Sequence, residues 1–381
     1  MLYDVAVIGA GVFGAWTARH LCEAGLRVAI ADAYGPANAR ASSAGESRIV
    51  RMGYGADEIY TRSAMRSLIL WKELCEETGA RLFHQTGVLW IAGAGDRYTE
   101  ATRDTLARCA VPFETLSPAE LRGRYPQMHF ARDAWGIFEP DSGALMARRA
   151  VEAVVADAVR LGAVHLRDAA EAPPGSGSLE TVRTSSGAIR AGTFVFACGP
   201  WLPKLFPQLL GKRIAPTRQE AFFFGAPPGN ARFSPPQMPV WIDFSDPRGP
   251  YCFPDLDHRG VKIALDQHGP PIDPDTADRT PSADRLAAAR AALGERMPAL
   301  QNAPLLEARV CQYENTSNGD LLIDRHPDFS NVWIVGGGSG HGFKHGPAVG
   351  EYAAAQMMGR GVPEPRYSLA TKEEAHHRTV Y

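Results

Sequence analysis

Residues 3–14 read YDVAVIGAGVFG, and this stretch decides the fold. The apolar run at 3–8 has the length and composition of a buried parallel strand. It delivers the chain into Gly9-Ala10-Gly11-Val12-Phe13-Gly14, a G-x-G-x-x-G turn followed by a helical pattern through Ala24. The three glycines serve different ends. Gly9 makes the tight turn, Gly11 lets the backbone approach a pyrophosphate at the helix N-terminus, and Gly14 allows close helix–strand packing. Gly25 ends the helix, 27–31 supplies a second strand, and Asp32 stands 21 residues after Gly11, where a carboxylate holds a ribose hydroxyl. The motif defines a dinucleotide site and leaves NAD and FAD equally open.

The bulk composition narrows the partner. At 381 residues and 45% hydrophobic content, the chain is long enough for two domains or one large α/β unit. Forty basic against 42 acidic residues leave a net charge of -2, which gives no field to attract nucleic acid or an anionic membrane surface. The expected partner is therefore a small molecule. The six cysteines are scattered without a C-x-x-C pair or a metal-ligand spacing, so neither a disulfide framework nor a metal site is expected. No basic n-region precedes the first apolar run and no apolar run spans a membrane, so the expected location is cytoplasmic. The segment 371–381, rich in charge, reads as a surface tail.

A second glycine-rich stretch lies at 336–346, GGGSGHGFKHG, directly after the apolar run 332–335. Six glycines in eleven residues, with His341, Lys344 and His345 among them, imply close backbone approach to an anionic or electron-rich ligand.

The segment Ser42 to Gly55, SSAGESRIVRMGYG, resembles the S-S-H-G-D-T-R-x-I-R-x-x-Y-G signature of the monomeric sarcosine oxidase and N-methyltryptophan oxidase family. Further segments fit the same family in order: TGVL from Thr86, FEPDSG from Phe138, ACGPW from Ala197, VCQY from Val310 and SGHGFK from Ser339. The resemblance covers nearly the whole chain. It implies an α/β fold in which a Rossmann-like FAD-binding domain (1–85, 145–215 and 320–381) is interleaved with a substrate domain (86–144 and 216–319) built on a mainly antiparallel sheet. A helix is expected over 146–162 and a buried strand over 194–197.

The activity the resemblance implies is oxidation of a secondary amine or N-alkyl amino acid. Hydride passes to FAD, and oxygen takes the electrons to give peroxide. Gly9, Gly11, Val12, Phe13, Gly14, Asp32, Ser42, Ser43 and Arg48 would hold the cofactor, with Gly340, His341, Gly342, Phe343 and Lys344 against the flavin. Cys311 matches the cysteine that tethers the flavin covalently. Backbone N–H groups from Gly340 to Lys344 would stabilise negative charge on the reduced ring. Arg51 and Lys344 would grip the substrate carboxylate, one as a planar fork and one as a point charge. Arg48 would lie nearer the flavin, and Lys262 would serve oxygen on the opposite face. Tyr251 and Tyr313 would wall the pocket. His341 matches a position that serves loop architecture more than proton transfer.

Two positions depart from the family pattern. Ala44 replaces the signature histidine, and Asp266 falls where the family has a pocket histidine. A carboxylate there would either meet a second cationic group of a larger substrate or point at solvent. The competing readings are a dehydrogenase of the same fold that uses a non-oxygen acceptor, a nicotinamide-dependent dehydrogenase, and an idle flavin-binding protein. A monomer is expected.

Overall fold

A computed structural model describes residues 2–378 and 380. Its first sheet grows from the opening stretch, with Leu2–Ile8 as a strand, Val12–Glu23 as the helix and Val28–Asp32 as the next strand. Leu2–Ile8 pairs in parallel with Val28–Asp32 on one side and with Gly187–Phe196 on the other. Val164–Arg167 and Val332–Gly336 extend the sheet in parallel, and Leu322–Arg325 adds antiparallel at one edge. Parallel neighbours need long crossovers, and this chain uses two of them to build a second sheet.

That second sheet has eight strands in the order Leu305–Thr316, Ile214–Phe224, Val261–Leu265, Pro250–Phe253, Val240–Asp243, Val88–Ala92, Trp135–Glu139 and Glu114–Leu116. Every neighbouring pair is antiparallel except Val240–Asp243 with Val88–Ala92. The molecule is therefore a mixed α/β fold. Side chains alternate across a strand, and the alternation divides the labour. Phe222, Phe224, Trp241, Val261 and Ile263 pack with Ala289, Ala292 and Leu293 of the helix Ala283–Arg296 in one core. The other face carries Tyr251, Lys262, Cys311 and Tyr313 to a cavity shared with the first half. Register sets Lys262 opposite both Phe223 and Phe253, and Tyr251 opposite Ala264.

A three-stranded sheet (Arg48–Val50, Gly143–Leu145, Phe83–His84) places the Arg48–Arg51 stretch between the two large sheets. The helix expected over 146–162 runs from Ala147 to Arg160. The strand expected over 194–197 is the buried end of the longer Gly187–Phe196, whose exposed first half alternates and so lacks a continuous apolar run. No helix among the described residues is long and apolar enough to cross a membrane.

The expected surface tail is corrected in part: 371 and 373–377 are exposed, but Lys372 and Val380 are buried, and Lys372 Nζ donates to Arg366 O at 2.7 Å. Arg378 reaches into the second cavity. Thr379 and Tyr381 lie outside the described residues.

Candidate active site

Two cavities meet where the sheets face one another. The first, of about 360 Å³, runs along the C-terminal ends of the parallel strands, the place where open α/β sheets bind ligands. Gly9 adopts φ +105°, and a Cβ there would sit 2.4 Å from Ala197 O, so glycine is required for both conformation and space. At Gly14 a Cβ would lie 1.9 Å from Gly9 O, which is the close helix–strand packing read from the motif. Asp32 is held by the turn it serves. Its Oδ2 accepts from Ala10 N–H at 2.9 Å, and its Oδ1 accepts from Tyr34 and Gly35 N–H at 2.9 Å each. Ser43 Oγ accepts from Val12 N–H at 3.1 Å, tying the 42–44 turn to the helix N-terminus.

Glu314 also lines this cavity. One of its oxygens accepts from Gly338 N–H at 3.0 Å, and the other has no hydrogen-bond partner among the described residues. Burial pushes its carboxyl up to about 7, against the lowering effect of the Gly338 N–H. A buried polar atom without a partner is costly, so this oxygen fits a ligand that brings hydroxyls. Together with the glycine cradle and Asp32, the donor and acceptor set matches the sugar–phosphate span of a dinucleotide.

The second cavity, of about 460 Å³, adjoins the first, and Arg48, Tyr313, Gly340 and Phe343 line both. Arg48 is fixed over the junction, donating to Ser42 O at 2.9 Å and to Ser47 O at 3.0 Å. Its Nη2 lies 3.5 Å from Cys311 Sγ, and Phe343 lies beneath the guanidinium. Gly45 makes room for it, because a Cβ there would meet Arg48 Nη1 at 1.9 Å. Lys262 Nζ donates to Ser47 O at 2.7 Å and sits 4.4 Å from the centre of the Phe253 ring. The side chain is 4% exposed, and burial, with Arg48 nearby, pushes its ammonium well below the usual lysine range.

On the far wall stand Arg51 and Lys344. Arg51 stacks over Tyr54 and Trp90 and donates to Gly53 O. Lys344 Nζ donates to Tyr54 OH at 2.6 Å and to His341 O at 2.9 Å. Burial and then Arg51 depress its pKa strongly, as expected for a cation in a dry site beside another cation. Tyr54 is the hub of this wall, since its hydroxyl also lies 2.7 Å from His345 Nε2 and 3.3 Å from His341 Nδ1.

Most of the residues named from sequence converge. Gly9, Gly11, Val12, Phe13, Asp32, Ser42, Ser43, Arg48, Gly340, Gly342 and Phe343 line the first cavity. Arg51, Tyr251, Lys262, Asp266, Cys311, Tyr313, His341 and Lys344 line the second. Gly14 lies behind the turn. The His341 ring bonds to Gly319 O at 2.9 Å and to Tyr54, contacts of the loop-architecture kind expected of it. Two expectations change. The N–H groups of His341 and Gly342 donate to Gly338 O, closing the turn, so two of the backbone donors expected at the ring are engaged internally. Asp266 is partly exposed and lines the second cavity, where it is already engaged from within the protein by Tyr313 OH and Arg378 at 3.2 Å each.

Sequence reading missed Glu314, Tyr54 and Arg378 as site residues. Tyr54 stood inside the quoted signature, and Glu314 directly follows VCQY. Arg378 carried no signal, since its role depends on where the 372–380 segment folds.

A dinucleotide cavity opening onto a cation-lined pocket defines a dinucleotide-dependent oxidoreductase. The chain belongs to the FAD dependent oxidoreductase family, which matches residues 4–356. It is 32% identical to a monomeric sarcosine oxidase from Bacillus sp. (strain NS-129), over 98% of both chains. It is 28% identical to an N-methyl-L-tryptophan oxidase of Salmonella typhimurium, over 94% of this chain and 96% of that one. The fold is also that of the L-proline dehydrogenase from P. horikoshii, with a TM-score of 0.82 at 24% identity over 96% of each chain. The protein is an FAD-dependent oxidoreductase acting on CH–NH donors, which sets aside the nicotinamide-dependent reading.

Proposed function

We propose that the protein oxidises an N-alkyl amino acid carrying a free carboxylate, with FAD tethered through Cys311 and oxygen as the acceptor. One observation carries this reading. Lys344 is a buried lysine on the pocket wall whose bonds go only to a hydroxyl and a carbonyl, with no carboxylate at ion-pair distance among the described residues to hold its charge. A buried cation is normally paired, and a substrate carboxylate held between Lys344 and Arg51 supplies the partner.

When bound, FAD supplies the two-electron acceptor. The chain's own residues do the rest. Arg51 and Lys344 orient the substrate by its carboxylate, while Tyr251 and Tyr313 wall the amine side. Only the neutral amine has the lone pair that helps expel hydride, and a free secondary amine is mostly protonated near pH 7. Desolvation and nearby cations both favour loss of that proton. Arg48 Nη2 lies 3.5 Å from Cys311 Sγ, the sulfur that would carry the tether. Lys262 brings positive charge to the opposite side of the junction, where oxygen would gain negative charge. The chain would divide into an FAD domain (1–85, 145–215, 320–381) and a substrate domain (86–144, 216–319), act as a monomer and work in the cytoplasm.

Peroxide release from a panel of N-methyl amino acids, cyclic imino acids and polyamines tests the function, with the Lys262→Met variant run alongside. The expected outcome is activity on carboxylate-bearing amines, with flavin reoxidation slowed more than flavin reduction in Lys262→Met. Reduction by substrate with no peroxide in air would favour the dehydrogenase reading. Acid precipitation checks the tether, because the yellow colour should stay in the pellet and move to the supernatant in Cys311→Ala.

A further inference from the structure

The segment 372–380 does more than cover the surface. His377 N–H donates to Ser317 O at 2.5 Å, Val380 is fully buried, and Arg378 Nε donates to Val380 O at 2.8 Å. Thus anchored, Arg378 extends its Nη1 into the substrate cavity. That nitrogen lies 3.2 Å from Asp266 Oδ2 and 2.9 Å from His268 Nε2. Asp266 is fixed from its other side by Tyr313 OH at 3.2 Å and by its own N–H, which donates to Gly249 O at 2.8 Å. A carboxylate in the substrate pocket is thus clasped by a cation from a segment distant in sequence.

The charges around the cavity give the clasp a purpose. On the substrate side stand Arg51, Lys344 and Arg378. Against them stand Asp266 and, behind Arg51, the buried Glu139, which accepts from Met52 N–H, Gly53 N–H, Trp90 Nε1 and Ser142 Oγ. Asp246 is paired with Arg248, Asp243 with Arg296 and Glu220 with Arg218. Facing Asp266 and Arg378 are Tyr54, Tyr98, Tyr251, Tyr313, His268 and His341. Burial raises the tyrosines and lowers the histidines, so all six stay neutral near pH 7. Arg48 and Lys262 line the same cavity. A substrate carboxylate would pair with Arg51 and Lys344, leaving Arg378 to hold Asp266. Without Arg378, Asp266 would face the amine as an uncompensated negative charge and favour the ammonium, the form that does not react.

We propose that Arg378 is a positioning residue that clasps Asp266 and so keeps the bound amine deprotonated. This rests on the amine-oxidation reading above, and the test separates the two. Under anaerobic conditions, flavin reduction at saturating N-methyl amino acid is followed against pH for wild type, Arg378→Gln, Asp266→Asn and the double variant. Arg378→Gln should move the apparent pKa of reduction up by about one unit, so that the rate at pH 7 falls about tenfold while the high-pH plateau falls by less. Adding Asp266→Asn to Arg378→Gln should move the pKa back, because the exposed negative charge is gone. Arg378→Gln with a lowered plateau but an unmoved pKa, or a double variant shifted as far as Arg378→Gln alone, overturns the inference and leaves Arg378 a packing residue. A wild-type flavin that no amine reduces overturns the function as well.

Discussion

The dinucleotide cavity and the cation-lined cavity touch, yet they are built on different principles. The first is made by backbone, through a glycine turn, a helix N-terminus and a carboxylate locked by three N–H groups, most of it within residues 9–43. The second is made by side chains from at least five separated segments, brought together by sheet register and by the fold of 372–380. A backbone site tolerates no new atoms. A side-chain site can be retuned residue by residue, and Asp266 in its wall is the position where the resemblance led to the expectation of a histidine.

The contrast is sharpest at Gly9. Its φ of +105° and the 2.4 Å approach of Ala197 O leave no room for a methyl group, so Gly9→Ala should yield protein without flavin, read as loss of the visible absorbance. A fully yellow Gly9→Ala protein would remove the backbone account of the first cavity. In the second cavity the expected losses are graded. A charge-assisted hydrogen bond contributes roughly 1.5–3 kcal/mol, so Lys344→Met should lower kcat/KM by about ten- to a hundredfold at roughly 1.4 kcal/mol per decade. Tyr54→Phe, which removes only the hydroxyl orienting Lys344, should cost about three- to tenfold. If Tyr54→Phe costs as much as Lys344→Met, the hydroxyl has a direct part that the geometry does not assign to it.

An effect of a different kind, on stability and not on turnover, joins the halves through Glu314. Because burial raises its pKa in the folded protein, the folded state binds more protons than the unfolded state between the ordinary carboxylate range and about 7. Stability must then fall as pH rises through that window. For flavin-free protein on a Cys311→Ala background, the loss from this one group amounts to about 3 kcal/mol across the window. Glu314→Gln should flatten the pH dependence of chemical denaturation, and an unchanged slope would mean that the carboxylate finds a partner.

The same contrast explains what was legible in the sequence. The parallel strands, the glycine turn and Asp32 are local signals with fixed spacing, so physical chemistry alone reads them. The pocket residues Arg51, Lys262, Cys311 and Lys344 became legible only through resemblance, because nothing in their own neighbourhoods distinguishes them from a strand lysine or an inert thiol. Glu314 had no local signal of its own, because it sits among the polar Gln312, Asn315 and Thr316 at the strand end. Arg378 had none either, since a charged segment reads as solvated until its contacts are known. The loop at 336–346 was read as a place of close backbone approach to a ligand, and within the chain its Gly340 is close to protein, since a Cβ there would lie 2.7 Å from the Tyr313 ring. Its free donors were overcounted, because part of the loop's hydrogen bonding is spent on its own turn.

The central claim is that the second cavity seizes a carboxylate and presents the neighbouring amine, uncharged, to the first. Anaerobic bleaching of the bound flavin by an N-methyl amino acid and by its carboxamide, at equal subsaturating concentration and each at a pH where its own amine is half deprotonated, tests this most directly. The account predicts that the acid bleaches the flavin about ten- to a hundredfold faster than the amide, and that Lys344→Met removes most of the difference. Equal bleaching by acid and amide, falling together in Lys344→Met, would contradict it and leave an amine oxidase indifferent to the carboxylate.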